Sequence, residues 1–116
     1  MSKIFFRIEI DTILDNFEKI DAILNIQRNR NTGYWTYEIV HVDDFLNIKE
    51  TTVISHFLNI LEGKYSQLLK LRIQSSDITF WMVYEYDNEC NMEFHPKETK
   101  RLGENGITLC VSCYRV

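Results

Sequence analysis

Ile78-Thr79-Phe80-Trp81-Met82-Val83-Tyr84-Glu85-Tyr86 sorts its side chains into two sets. Ile78, Phe80, Met82, Tyr84 and Tyr86 fall on one face of an extended chain, and Thr79, Trp81, Val83 and Glu85 on the other. Ile4–Ile10 and Ile107–Cys113 alternate in the same way. Three such segments predict a sheet with one apolar face under helices and one mixed face left over.

Working outward, Lys3–Ile10 reads as the first strand, with Ile4, Phe6, Ile8 and Ile10 inward. Asp15-Asn16-Phe17-Glu18 has the spacing of a capping box. The helix it opens runs to Leu24 with the stripe Ile13, Phe17, Ile20 and Leu24. Asn25–Gly33 is a polar loop rich in Asn and Arg. Tyr34–Val42 is a second strand carrying Trp35, Tyr37 and Ile39 on one face, and Asp43-Asp44 ends it. A long helix over Glu50–Leu61 turns Val53, Ile54, Phe57, Leu58 and Leu61 inward, and Gly63 stops it. Tyr65, Leu68, Leu69 and Leu71 or Ile73 continue a helical stretch, and Asp77 starts the third strand. Asp87-Asn88-Glu89 is turn chemistry, so Asn91–Phe94 is expected to return antiparallel as a hairpin. Pro96 opens a short helix over Lys97–Leu102, released by Gly103 and Gly106, and Ile107–Arg115 closes the chain.

The expected order is β-α-β-α-β-β-α-β. The first β-α-β favours a parallel crossover, and the hairpin adds antiparallel pairing. The fold class is α+β: a two-layer sandwich, its sheet mixed and mostly antiparallel, helices on one face, loosely ferredoxin-like.

At 116 residues the chain is expected to be a single domain able to bury a core without staples. Hydrophobic content of 45 % and charged content of 26 % are ordinary for a globular protein. The net charge of −4 argues against nucleic acid as a partner, since phosphate contacts need a basic footprint. No apolar run has the length of a membrane span, and the opening Met1–Ile10 is too short and too charged for a signal peptide. A cytoplasmic protein with no membrane contact is expected. Three cysteines, an odd number, do not make a disulfide framework.

Several segments together resemble the bacterial domain-of-unknown-function family 4279. They are Lys3-Ile4-Phe5-Phe6-Arg7-Ile8, the Ile20–Leu24 helix end with its short basic loop, and Tyr34-Trp35-Thr36-Tyr37. Leu58-Asn59-Ile60-Leu61, Asn91–Pro96 running into a helix, and Leu102–Leu109 extend the likeness over nearly the whole chain. The Trp-x-Tyr after the basic loop is its distinctive part, and the loop before it is shorter than many family members carry. The resemblance implies a compact α+β domain of bacterial origin and implies no reaction.

Chemistry-bearing residues are sparse. Cys110-Val111-Ser112-Cys113 has C-x-x-C spacing, but residues three apart on a strand face opposite ways, so the thiols cannot converge. The expected reading puts Cys113 in the core and Cys110 on the open face. His41, His56 and His95 sit in three separate elements. His56 lies on the polar side of the long helix, and His95 precedes Pro96 at a helix start. His41 beside Asp43 and Asp44 is the best local acid–base candidate. With only 4 glycines, phosphate-cradling loops are not expected, and no Walker, dinucleotide, nucleophile-elbow or H-E-x-x-H pattern occurs. No catalytic set, metal site or cofactor is assigned.

Two surfaces remain. The open sheet face carries Phe5, Arg7 and Glu9; Tyr34, Thr36 and Glu38; Trp81, Val83 and Glu85; and Cys110, Ser112 and Tyr114. Aromatics around an Arg with carboxylates beside them is an interface composition. Phe5, Arg7, Tyr34, Trp81, Val83 and Tyr114 are its candidate binding residues. The expected function is a non-catalytic protein-binding module, by self-association as a homodimer or in an immunity- or antitoxin-like role. The alternative is a small-molecule binder or enzyme with a pocket formed by Arg28, Arg30 and Trp35 of the basic loop and His41, Asp43 and Asp44 of the turn.

Overall fold

The computed structural model describes residues 3–31, 33–42, 50–88 and 90–115. Its elements are β1 (Lys3–Ile10), α1 (Phe17–Leu24), β2 (Arg30–Asn31), β3 (Trp35–Val42), α2 (Glu50–Leu61), α3 (Tyr65–Lys70), β4 (Ile78–Tyr86), α4 (Pro96–Asn105) and β5 (Thr108–Arg115). The fold is a two-layer α+β sandwich on a mixed sheet ordered β2-β3-β1-β4-β5.

β1 pairs antiparallel with both β3 and β4, so those two strands run parallel with β1 between them. α2 and α3 make the crossover, which is the split β-α-β of ferredoxin-like sheets. β5 joins β4 in parallel through α4. Ile4, Phe6, Ile8 and Ile10 of β1 and Ile78, Phe80, Met82 and Tyr84 of β4 are buried on the face the helices cover. Phe17, Ile20 and Leu24 of α1, five residues of α2, and Leu68 and Leu102 close the core from above. Phe57 is its hub: its ring meets Phe80 edge-on at 5.3 Å and Tyr37 at 6.3 Å. α2 and α4 are tied by Ser55 donating to the Glu98 carboxylate and by Arg101 Nη2 donating to Asn59 Oδ1 at 3.2 Å.

The structure corrects several expectations. The first β-α-β is not parallel, because Trp35 starts β3 opposite Ile10, where β1 ended. α1 spans only 8 residues, and the chain after it doubles back to the same end of the sheet. Asn91–Phe94 forms no strand, and the hairpin partner expected for it is not open: both edges of β4 are already taken by β1 and β5. Cys90, Met92 and Phe94 nevertheless pack against the core, which is the alternation the sequence displays.

The capping box at Asp15 does not form either. Asp15 lies inside a 3-10 turn over Leu14–Asn16, and Ile13 is 66 % exposed rather than part of the stripe. The Asn16 amide instead donates to Thr12 Oγ1 at 2.9 Å and to the Leu71 carbonyl at 3.3 Å, tying α1 to the end of α3. Gly103 stays inside α4, and Gly106, at φ 67°, ends it. Leu69 faces solvent while Leu68 and Ile73 are buried. Cys113 is exposed rather than in the core, because β5 is the sheet edge and is flanked by a strand on one side only.

If Phe57 is the hub, Phe57→Ala should cost about 3–5 kcal/mol in urea unfolding. Leu69→Ala, at a site 59 % exposed, should change stability by less than about 0.5 kcal/mol.

Candidate functional site

The registers of β1, β3, β4 and β5 assemble the face opposite the helices into cross-strand rows. Glu38, Arg7, Trp81 and Cys110 stand side by side in one row. Val40, Phe5, Val83 and Ser112 form the next. Lys3, Glu85 and Tyr114 lie beyond them, and Thr36, Glu9, Thr79 and Thr108 on the other side. A one-residue slip would have sent this whole set into the core.

Arg7 is the centre. Its Nε lies 3.3 Å from Glu38 Oε2 and its Nη1 lies 3.6 Å from Glu9 Oε2. The guanidinium sits over the Trp81 ring, 6.0 Å from its centroid. The Arg7 Nε is buried and makes no aligned hydrogen bond among the described residues, so the Glu38 contact is an ion pair rather than a directed bond. Phe5, Trp81 and Val83 are half-buried among their neighbours, while Val40 and Tyr114 are 49 % and 45 % exposed. No described helix lies over these rows. Val40 was missed in the sequence reading, although extending the Thr36, Glu38 alternation by one step reaches it.

Tyr114 stands opposite Glu85, whose carboxylate accepts from its hydroxyl. Partial desolvation in the sheet, and then that carboxylate, hold the phenol above its ordinary value. Tyr34 immediately precedes β3, is 45 % exposed, and lies at the far corner of the face from Tyr114.

The alternative pocket is not brought together. Trp35 is fully buried, and its Nε1 donates to Asp21 Oδ1 at 2.8 Å. Arg28 Nη1 reaches Asp21 Oδ2 at 2.6 Å, and its guanidinium lies 5.5 Å from the Phe17 ring centroid. The basic loop is thereby tied to α1. The Asn29 side chain bonds the main chain of Glu38, and Arg30 in β2 pairs with Thr36, so this segment shields the β3 edge. His41 lies at the opposite end of β3, paired with Ile4, about 20 Å along the strand from Trp35. Asp43 and Asp44 lie outside the described residues.

His56 is exposed on α2, and exposed His95 lies 3.9 Å from Glu93. A shallow groove of about 510 Å³ runs past Leu14, Asp15, Phe17, Glu18, Lys19 and Arg28. Among the described residues there is no group of three or more His, Cys, Asp or Glu that could hold a metal ion. None of the described helices is long and apolar enough to cross a membrane. No protein-family model, curated protein or solved structure matches the chain.

Asp21→Ala should destabilise the fold by about 2–3 kcal/mol, because the buried Trp35 indole loses its acceptor. Arg28→Met should cost under about 1 kcal/mol, the range of part-exposed ion pairs. Thermal or urea unfolding of both variants separates the two.

A phenolate titration followed by ultraviolet absorbance should show one late-ionising phenol fewer in Tyr114→Phe than in the wild type. Below the ordinary value of 10.0 the phenol is neutral whether the chain is folded or unfolded. Above it the unfolded chain ionises first, so stability falls as pH rises through that window.

Proposed function

We propose that the chain is a non-catalytic protein-binding module whose docking surface is the open sheet face, and that its occupant is a second copy of the chain. The observation that carries this reading is the pair of adjacent rows, Val40-Phe5-Val83 beside Glu38-Arg7-Trp81, on a face without helix cover among the described residues. An apolar band next to an Arg stacked on Trp has the make-up of an interface centre. Arg7 and the carboxylates Glu9, Glu38 and Glu85 put both signs of charge on one patch. An isologous contact needs that, because each residue of the patch meets the same patch turned by a two-fold axis.

A foreign basic protein, as in an immunity- or antitoxin-like role, is the competing occupant; the chain's net charge of −4 is what would steer it. The alternative of a small-molecule pocket gains nothing from the placement of Arg28, Trp35 and His41. On the residues quoted above we also propose kinship with bacterial family 4279, which adds no activity to this reading.

The test is light scattering on a size-exclusion column over a wide concentration range, with circular dichroism to confirm folding. Wild type should be a dimer, and Trp81→Arg and Val40→Glu should be monomers. Val40 is exposed, so its variant keeps the test open if Trp81→Arg fails to fold. A wild-type monomer at every concentration, or a dimer indifferent to both substitutions, rejects self-association through this face.

A further inference from the structure

Cys90 and Cys113 are 23 positions apart, and their sulfurs lie 2.6 Å from each other. They come from two unlike segments. Cys90 sits in the irregular connection after β4, where Met92 and Phe94 anchor it to the core. Cys113 sits on edge strand β5, in register with buried Tyr84 of β4. Because residues alternate on a strand, Cys113 points to the helix side and Cys110 to the open side. The fold therefore selects one pair out of three thiols, and it is not the C-x-x-C pair.

We propose that Cys90 and Cys113 are a reversible redox pair, oxidised to an intramolecular disulfide by a small-molecule disulfide such as oxidised glutathione. Cys113 is the exposed member and Cys90 is half-buried, so access assigns the first attack to Cys113. The Cys113 thiolate, its proton given to water, attacks one sulfur of the oxidant. The oxidant's S–S bond breaks, leaving a mixed disulfide on Cys113 and releasing one thiolate. The Cys90 thiolate then attacks the Cys113 sulfur and displaces the second thiol. Two protein thiols are oxidised, one external disulfide is reduced to two thiols, and the two protons go to those thiols.

The bridge ties the connection before α4 to the sheet edge and closes a loop that contains α4. This inference does not depend on what docks on the open face.

The experiment equilibrates the purified protein in buffers of graded reduced-to-oxidised glutathione ratio, quenches with acid, and alkylates with a maleimide. Intact mass and a non-reducing peptide map then read the state of each cysteine. Under reducing conditions all three cysteines should be alkylated. Under oxidising conditions only Cys110 should be, with one cross-linked peptide joining Cys90 to Cys113 in a monomeric chain. Cys110→Ser should leave the bridge intact. Cys90→Ser should trap glutathione on Cys113, because the resolving thiol is gone. Three alkylated thiols at every ratio, a bridge that uses Cys110, or a bridge only between chains overturns the proposal.

Discussion

The structure depends on β1 being hydrogen-bonded on both edges and covered on one face. Its alternate residues Ile4, Phe6, Ile8 and Ile10 are almost wholly excluded from water, and its neighbours β3 and β4 take their registers from it. Burying a side chain of this size is worth roughly 1.5–3 kcal/mol, and a slip by one residue would exchange these four for Phe5, Arg7, Glu9 and either Lys3 or Asp11. That penalty locks β3 and β4 at once. The core above the sheet and the rows below it are two consequences of a single register.

The sheet then has two edges of different character. At one, the segment around Asn29–Asn31 lies along β3, and Asp21 holds that segment by gripping Arg28 while accepting from Trp35. The basic loop offered as one wall of the alternative pocket is thereby explained in part as edge cover: Arg28 is spent on Asp21 and Phe17. At the other edge β5 has no further strand among the described residues and no Lys or Pro along its length. On its helix side Val111 is 43 % exposed, and Cys113 lies at the surface beside Cys90.

With all described helices on one face, the other face has, among the described residues, only its own side chains for cover. Its residues shield one another laterally: Arg7 over Trp81, Glu38 and Glu9 against Arg7, and Tyr114 on Glu85. This lateral packing makes a large patch that is half-buried without a partner.

Strand faces were legible in the sequence because side-chain direction in a strand has a period of two and needs no partner to define it. Ile78–Tyr86 alone separated Phe80 and Met82 from Trp81 and Val83, and the same alternation in the other strands gave the open face except Lys3, Val40, Thr79 and Thr108. The long helix and the stop at Gly63 were legible for a similar reason, a helical stripe followed by a residue suited to φ 75°. What the chain does between elements was not. Whether β3 runs with or against β1, and whether Asn91–Phe94 finds a ladder, depends on which edges other segments already hold. That competition is non-local, and no window of sequence contains it. The same holds for Asp21 with Trp35 and for Cys90 with Cys113, pairs joined only once β3 and β5 are in place. Sequence determined which residues face which way; tertiary structure decided which of them meet, because only packing sets distances between segments that the chain itself leaves apart.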